Sequence, residues 1–324
     1  MKNIFRVVLA VLALASASSA YAQNWPNKPI HVIIPWPPGQ ATDLAMRMVA
    51  EKLTPVLGQP LIMENKPGAG GTLGAEQATK MTPDGYTLLA GSSGPMSIAP
   101  NVEKLRYDPR KDFTAISLFA TNPFVLVVNP ALPVSNLKEF IALLKANPDK
   151  YSFSSSGSGS TSHLLVAVFN AMAGIKAVHV PYKGSTQAVT DVVNGQAAYT
   201  VETVPTVLSF VNSGRLKALG ISSARRSSAM PALAPIAEAG DLPGYDMAGW
   251  IGVMAPAGLP RDMAARLSAE VQKIMQAPDV RERFVALGLE PTPPGSTPEE
   301  FAEFVRKQYE RYGNAVRQAK VKAD

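Results

Sequence analysis

The sequence predicts an α/β protein of two lobes, in which each lobe is a mainly parallel sheet flanked by helices and two crossover strands form the hinge. Two observations carry this prediction. Strand-like runs alternate with amphipathic helical patterns from residue 30 to residue 90, and the alternation starts again after residue 129. Such alternation is typical of parallel sheets with right-handed crossovers. The chain therefore contains two α/β modules of ordinary domain size.

Residues 1–22 have the pattern of a signal peptide. A basic segment is followed by an apolar run and by the small-x-small sequence Ala20-Tyr21-Ala22. The alternative is an uncleaved anchor, but the run is short and rich in Ala and Ser for a membrane span. We expect cleavage near Ala22-Gln23 and a soluble periplasmic protein.

Composition excludes several kinds of site. The chain has no cysteine, which excludes disulfides, thiolate metal ligands, a cysteine nucleophile and lipid attachment through cysteine. It has three histidines and no His-x-x-x-His pair, so we expect no metal and no cofactor. The formal charge of +6 suits an anionic ligand. Its basic residues are dispersed without interleaved aromatics, which argues against nucleic acid as a partner.

The first structural unit is a strand, a stiff turn and a helix. The apolar run Ile30–Ile34 ends at Pro35, further prolines fix the turn, and Gly39 restores freedom before the helix. Thr42 or Asp43 opens the helix, and we interpret Asp43 as its cap. The N–H groups of the first helical turn carry partial positive charge and point across the end of the strand. A small anion binds well at such a place.

The next elements complete a strand–helix–strand–helix–strand unit. They are a strand at 61–64, a glycine-rich loop at 65–71, a helix at 72–81 and a strand at 86–90. Ligands sit beyond the carboxyl ends of strands in such sheets, here at the first turn, at the glycine loop and at Gly91-Ser-Ser-Gly94. The loop is no dinucleotide fingerprint, because Leu73 stands where the last glycine of G-x-G-x-x-G belongs.

Two strands, at 114–119 and 124–128, lead into the second module. Its predicted elements are a helix at 136–146, a strand at 151–154, a helix ending at 173, a strand at 177–180, a helix ending at 193, a strand at 198–201, a helix at 205–212 and a strand at 216–221. An irregular stretch then leads to a strand at 250–255, and helix is predicted from residue 260 to the end.

The chain thus leaves the first module near residue 125 and returns to it after the second. We assign residues 23–124 and 226–324 to lobe 1 and residues 125–225 to lobe 2. Two crossings between lobes form a hinge and a cleft that can close over a ligand.

A loop of hydroxyl-bearing residues and glycines, Ser154–Ser162, precedes His163. We interpret it as a donor loop for an acceptor-rich ligand, with a loose surface loop as the alternative. It contains no G-x-S-x-G elbow. His163 as a base beside a cleft serine would make the protein a periplasmic hydrolase or isomerase, but no acid partner can be named. His31 and His179 lie in predicted strands and are interpreted as buried, hydrogen-bonded residues.

Two further positions at strand ends could contact a ligand. Tyr182-Lys183-Gly184 offers a hydroxyl donor and a positive charge, with an ordinary turn and a solvated lysine as the alternative. Glu202 would repel a carboxylate, so it could instead meet an ammonium or a hydroxyl group.

Seven motifs match one known family in the family's order. They are Trp25-Pro-x-Lys-Pro-Ile30, Pro35-Trp-Pro-Pro-Gly39, Ala41-Thr-Asp43, Glu64-Asn-Lys-Pro-Gly-Ala-Gly-Gly71, Pro83-Asp-Gly-Tyr-Thr-Leu-Leu89, Val178-His-Val-Pro-Tyr-Lys-Gly184 and Met254-Ala-Pro-Ala-Gly258. The chain resembles the Bug-type substrate-binding receptors of tripartite tricarboxylate transporters over nearly all of residues 23–324.

The resemblance implies a two-lobed periplasmic binding protein, type II-like, that closes as a venus-flytrap. It also implies a small carboxylate ligand, a membrane permease of one large and one small subunit, a monomer and no enzymatic activity. Carried over by position, the ligand-binding residues are Trp36, Pro37, Gly39, Gln40, Ala41, Thr42, Ser92, Ser93, Ser156, Gly159, Ser160, Thr161, His163, Tyr182, Lys183, Gly184, Glu202 and Thr203.

Three positions depart from the family pattern. Gln40 stands where a second glycine is usual, and Glu202-Thr203 stands where an Asp-Asn pair is common. Trp36 replaces a common phenylalanine and could face a ring-bearing acid, or could simply pack at the hinge. A relative's ligand should therefore not be transferred. A receptor that serves a membrane sensor kinase is a further alternative.

Overall fold

The computed structural model describes residues 25–292 and 295–321, and within them it has two mixed sheets flanked by helices. The signal peptide and its cleavage site fall outside the described residues. Sheet 1 contains β1 (Ile30–Ile34), β2 (Leu61–Asn65), β3 (Thr87–Ser92), β4 (Phe113–Asn122), β10 (Gly249–Pro256) and β11 (Glu290–Pro291). Its strand order is β11-β4-β10-β3-β1-β2.

Sheet 2 is built from the middle of the chain. It contains β5 (Phe124–Val128), β6 (Ser152–Ser155), β7 (Val178–Pro181), β8 (Tyr199–Thr203) and β9 (Lys217–Ile221), in the order β7-β6-β8-β5-β9. We call the part of the molecule built on sheet 1 lobe 1, and the part built on sheet 2 lobe 2. The residue bounds of the lobes stay a prediction.

Parallel pairing is confined to the βαβ units of each sheet. Strand β1 pairs in parallel with β2 and β3, and β6 pairs in parallel with β7 and β8. The strands that join or close the lobes pair antiparallel: β10 with β3 and β4, and β5 with β8 and β9. Residue 123 joins β4 of sheet 1 directly to β5 of sheet 2, and β10 brings the chain back into sheet 1. Because these connecting strands run antiparallel to their neighbours, both sheets are mixed.

Helices cover both sheets. They are α1 (Ala41–Leu57), α2 (Thr72–Thr79), α3 (Ala99–Val102), α4 (Leu137–Ala146), α5 (Thr161–Ala173), α6 (Ser185–Val193), α7 (Val204–Asn212), α8 (Ile236–Ala239), α9 (Arg261–Gln276), α10 (Pro278–Ala286) and α11 (Pro298–Ala319). None of the helices within the described ranges combines the length and apolarity that a membrane span requires.

The cores explain why these helices sit where they do. In α1, Ala45, Val49 and Leu53 recur at helical spacing and are fully or almost fully buried in the core that also holds Ile30 and Val32 of β1. This burial fixes the direction of α1, and therefore the position of its first turn, relative to the end of β1.

Two sequence predictions fail in the detail of sheet 1. The C-terminal region is not continuously helical, because Glu290 and Pro291 form β11, which pairs with Thr121 and Ala120 of β4. His31 is not buried: its side chain is 47% exposed, and Nδ1 lies 2.5 Å from Glu64 Oε1. The contact with Glu64 of the neighbouring strand β2 takes the place of burial.

Candidate functional site

The turn between β1 and α1 forms one wall of the candidate site. Gly39 has a φ of +80°, which a residue with a Cβ rarely adopts, and Gln40 is the N-cap of α1 without a side-chain capping bond. The N–H groups of Ala41, Thr42 and Asp43 belong to the first helical turn, which lacks intrahelical acceptors. These donors, together with the partial positive charge of the helix end, suit an anion.

Asp43 is not the helix cap that the sequence predicts. It lies inside the first turn, almost fully buried, and its Oδ2 accepts a hydrogen bond of 2.8 Å from the Gly39 N–H. Its Oδ1 accepts bonds of 2.9 Å from Arg47 Nε and from Asn65 Nδ2. The carboxylate thus fastens the turn to the helix and to β2, and Arg47 balances its charge.

A cavity lies between this wall and the facing end of sheet 2. The cavity has a volume of about 30 Å³, so the cleft is narrow in this conformation. The lining residues are Trp36, Gln40, Ala41, Thr42, Ser92, Ser93, Asn122, Phe124, Ser156, Thr161, Ser185, Glu202, Thr203 and Trp250.

The two lobes touch at the rim of the cavity. Ser93 Oγ and Thr161 Oγ1 share a hydrogen bond of 2.7 Å across the cleft. A Cβ added at Gly70 would come within 2.6 Å of the Ser158 carbonyl oxygen, and one added at Gly184 would come within 2.6 Å of Pro37 Cγ. The structure therefore represents a closed arrangement of the lobes.

Trp36 both lines the cavity and packs against neighbouring backbone. Its Nε1 donates a 2.9 Å hydrogen bond to Ser92 Oγ, and its ring would lie 3.2 and 3.1 Å from a Cβ added at Gly71 and Gly94. Glycine at these two positions allows the close approach. The two interpretations of Trp36 from the sequence are therefore compatible, and its preference for a ring-bearing acid stays a prediction.

Four buried polar atoms without a direct partner in the described part of the chain belong to residues that line the cavity. Among the described residues, Gln40 Nε2 and Trp250 Nε1 are buried donors without a direct partner, and Asn122 Oδ1 and Glu202 Oε1 are buried acceptors without one. All four residues line the cavity. Because buried polar groups are normally hydrogen-bonded, this set indicates a place for a polar ligand that offers both acceptors and donors.

Glu202 is the one ionisable residue among the lining residues, which include no Lys, Arg or His. Its carboxyl is fully buried, and burial raises its pKa to about 7. The hydroxyls of Ser185, Ser162 and Ser156 and the Thr203 N–H stabilise the charged form and oppose this shift. The Thr203 N–H donates to Oε2 at 3.3 Å.

The Ser/Gly loop is not a loose surface segment. Nearly all of Ser154–Ser162 is buried, and Ser160 Oγ caps α5 by accepting a bond of 3.2 Å from the His163 N–H. Ser156 and Thr161 reach the cavity, whereas Gly159 and Ser160 are not among its lining residues. Gly159 has a φ of +71° and lies close to Ala99, so it shapes the loop.

His163 also lies outside the lining of the cavity. Its ring stacks on His179 with centroids 4.0 Å apart and an interplanar angle of 11°, and its Nδ1 accepts a 3.3 Å bond from the Gly159 N–H. His179 is half-buried, and its Nε2 lies 2.6 Å from Ser155 Oγ. This arrangement supports the loop, and His163 is not among the residues that line the cavity.

The predicted residues Tyr182 and Lys183 face a separate, open depression at the rim, which Ala69 and Glu103 also line. The Tyr182 hydroxyl bonds to Asp191, and burial together with that bond raises the pKa of Tyr182 to about 12. Lys183 is exposed. Pro37, Gly39 and Gly184 are likewise absent from the cavity lining, although Pro37 and Gly184 meet where the lobes touch.

Sequence reasoning missed four lining residues, namely Asn122, Phe124, Ser185 and Trp250. Asn122, Phe124 and Trp250 belong to the strands that cross between the lobes or return to lobe 1, and Ser185 begins α6. The sequence does contain a signal for Asn122 and Phe124, because Asn122-Pro123 interrupts two apolar strands. A chain that crosses between the lobes at this point must pass along the floor of the cleft.

The described part of the chain contains no group of three His, Cys, Asp or Glu side chains placed to hold a metal ion. The donor atoms of the cavity are amides, hydroxyls and one carboxyl. Their chemistry suits hydrogen bonding to a small organic molecule.

Comparisons with known proteins agree with this fold. Residues 45–321 match the model of the tripartite tricarboxylate transporter family receptor. The chain is 35% identical to Protein BugT of Bordetella pertussis over 99% of both chains. An R. palustris structure with adipate is similar with a TM-score of 0.88 at 28% identity, over 93% of this chain and 100% of that one. MatC from Rhodopseudomonas palustris with bound malate is similar with a TM-score of 0.85 at 31% identity, over 90% of this chain and 100% of that one.

Proposed function

Because this chain belongs to the tripartite tricarboxylate transporter receptor family, we propose that it captures a small carboxylate in the cavity between its lobes and delivers it to a membrane permease. The family is one of periplasmic solute-binding receptors. In this proposal the ligand enters and leaves chemically unchanged, and the permease consists of a large and a small membrane subunit.

The observation that carries the proposal is the first turn of α1 at the cavity wall. Gln40, Ala41 and Thr42 line the cavity, and no side chain caps the N-terminus of the helix. A carboxylate placed there receives backbone N–H bonds and the field of the helix end, which contributes about 0.3–2 kcal/mol depending on burial. Hydroxyls at Ser92 and Ser93 lie on the same side of the cavity.

Closure of the lobes strengthens these interactions. The contacts at Ser93–Thr161, Gly70–Ser158 and Pro37–Gly184 hold the lobes together at the rim of the cavity and limit the access of water to a ligand inside it. Hydrogen bonds and charge interactions are stronger in such a water-poor space. Uptake and release would then follow opening and closing about the strands that cross between the lobes.

The placement of His163 favours capture over chemistry. A catalytic base must reach its substrate within hydrogen-bond distance or through one water. His163 follows the Ser/Gly loop in the first turn of α5, stacks on His179, and is not among the residues that line the cavity. We therefore prefer the receptor to the hydrolase or isomerase that the sequence left open.

Native mass spectrometry of the purified, processed protein tests the proposal. A bound small acid, released on denaturation and identified by its mass, is the expected result. Titration calorimetry with that acid should then give a saturable signal with one site. Protein that carries no acid, and that binds none from a panel of mono- and dicarboxylates at millimolar concentration, would exclude the carboxylate receptor.

Delivery to a permease needs a cellular measurement. Cells that lack this chain should lose high-affinity uptake of the identified acid and regain it when the chain is restored. Uptake that is unchanged while a kinase-dependent transcriptional response is lost would favour the sensor-kinase receptor instead.

A further inference from the structure

We propose that Glu202 makes the cavity selective for an acid that also carries a protonated amine, so that an amino acid is preferred over the matching dicarboxylate. This inference rests on the proposed function, because it assumes that a carboxylate occupies the first turn of α1. It adds the identity of the second recognised group and the residue that selects it.

The first argument is the position of Glu202. It lies on β8, opposite Val125 of β5, at the end of sheet 2 that faces the first turn of α1 across the cavity. The side chain is fully buried, and Oε1 has no direct partner among the described residues. The hydroxyls of Ser156, Ser162 and Ser185 lie near the carboxyl and favour its charged form, and Ser162 Oγ is itself buried without a direct partner in the described ranges.

The second argument is the charge of the cavity. No lining residue is positively charged. The neighbouring acid Asp43 is already balanced by Arg47. A dicarboxylate would therefore bring a second negative charge towards a buried carboxyl with no cation to offset it. An ammonium group on the ligand supplies that cation, and buried charges are stable chiefly when they are paired.

The third argument is the distribution of the unpaired atoms. The two unpaired donors, Gln40 Nε2 and Trp250 Nε1, can serve a ligand carboxylate together with the α1 N–H groups. The two unpaired acceptors, Glu202 Oε1 and Asn122 Oδ1, can receive N–H bonds from an ammonium. An amino acid offers both kinds of group, whereas an ionised dicarboxylate offers acceptors alone.

The surroundings of Glu202 fix the expected pH dependence. The groups that face it are Ser156 and Ser162 from the loop and first turn of α5, Ser185 from α6 and the Thr203 N–H, and none of them titrates near neutral pH. Tyr199 lies three residues earlier on β8 and bonds to Asn170. No charged group contributes to the shift of the Glu202 pKa, which burial raises to about 7.

The two ligand classes therefore give opposite pH effects. An ammonium favours the ionised carboxyl, so the affinity for an amino acid should rise between pH 6 and pH 8. An ionised dicarboxylate favours the protonated carboxyl, so its affinity should fall over the same interval.

The test is titration calorimetry with matched probes at pH 6 and pH 8. The pairs are aspartate with succinate, glutamate with glutarate, and 6-aminohexanoate with adipate. Within the pair that binds, wild-type protein should prefer the amino acid at least tenfold at pH 8. Glu202→Gln should reduce this preference at least tenfold, and Glu202→Asp should retain part of it. Glu282→Gln removes the same negative charge from an exposed side chain outside the cavity, and should leave the preference unchanged.

The outcomes separate this inference from the proposed function. Pairs that bind with the dicarboxylate preferred, or with a preference that Glu202→Gln leaves unaltered in protein of normal melting temperature, overturn the role of Glu202 and leave the carboxylate receptor intact. If no member of any pair binds either wild type or variant, the inference falls, and the proposed function is decided separately by the native mass spectrometry and the wider acid panel.

Discussion

At the scale of single residues, two buried carboxyls have opposite tasks. Asp43 accepts three hydrogen bonds, including one from the charged Arg47, and holds the binding turn in shape. Glu202 is fully buried with one oxygen unpaired and faces the cavity. The first residue stabilises the turn, and the second is buried at a cost to stability, which fits its proposed role in recognising the ligand.

Asp43→Ala should lower the free energy of unfolding by about 2–3 kcal/mol, because it removes charged hydrogen bonds and leaves buried donors unpaired. Urea denaturation measures this change. The control is Asp262→Ala, which removes an exposed acid from the first turn of α9 and should lower stability by less than about 1 kcal/mol. Equal losses in the two variants would show that Asp43 has no special role.

Glu202 should make the protein less stable as the pH rises. Burial raises the folded-state pKa of Glu202 from 4.5 to about 7, so between these values the folded state holds a proton that the unfolded state has lost. The contribution to stability is therefore fully present below pH 4.5 and is lost as the pH rises through 7. The total is about 3 kcal/mol for a shift of this size.

Glu202→Gln tests this sign, because the amide does not titrate. Relative to wild type, the variant should gain about 2.5 kcal/mol in unfolding free energy between pH 5 and pH 8, as measured by urea denaturation without ligand. A constant difference between the two proteins across this pH range would contradict the raised pKa.

At the scale of secondary-structure elements, the site depends on the end of one helix. The apolar face of α1 packs into the core beside β1, which places the first turn at the cavity. Ala41 begins the helix and is 2% exposed. A negative side chain at this position would therefore repel the proposed ligand carboxylate and would compete with it for the partial positive charge of the helix end.

Ala41→Asp should weaken binding of the identified acid at least tenfold more than Ala41→Asn. The two side chains have the same size, so the difference reports charge alone. Two charges 4 Å apart interact by about 4 kcal/mol at an effective dielectric constant of 20. Calorimetry on both variants measures the ratio, and equal affinities would mean that the ligand carboxylate lies elsewhere.

At the scale of the whole molecule, the proposed capture of a ligand requires closure of two lobes that touch through backbone. Gly70 has a φ of +61°, and its Cα lies so near lobe 2 that an added Cβ would come within 2.6 Å of the Ser158 oxygen. Gly58 has a similar φ of +70° but has no atom within 4 Å of such a Cβ. Alanine substitutions at these two glycines therefore distinguish the effect of backbone strain from the effect of contact between the lobes.

Gly70→Ala should weaken ligand binding at least tenfold, because the added methyl group opposes closure. Gly58→Ala should bear the same strain of about 1–2 kcal/mol in unfolding free energy and leave affinity unchanged. Calorimetry gives the affinities, and small-angle scattering with saturating ligand should show a larger radius of gyration for the Gly70 variant. Equal affinities would mean that this rim contact is dispensable.

Much of the fold could be predicted from local patterns. The βαβαβ order at the start of the chain and the second module were both correct in type and position, because apolar periodicity and turn residues are local signals. The mixed pairing was not visible. The mixed pairing arises because β10, which is distant in the chain, lies between β3 and β4 and runs antiparallel to both. The residues of β10 do not indicate which strands it will pair with.

The same division applies to the site. The sequence alone determined the strand–turn–helix at residues 30–57, since prolines, Gly39 and the apolar face of α1 act over a few residues. Only the tertiary structure brought Trp250 and Asn122 to the cavity, moved Tyr182 and Lys183 to its rim, and stacked His163 on His179 away from it. These outcomes depend on contacts between residues far apart in the chain, where packing and burial decide the result and local propensity does not.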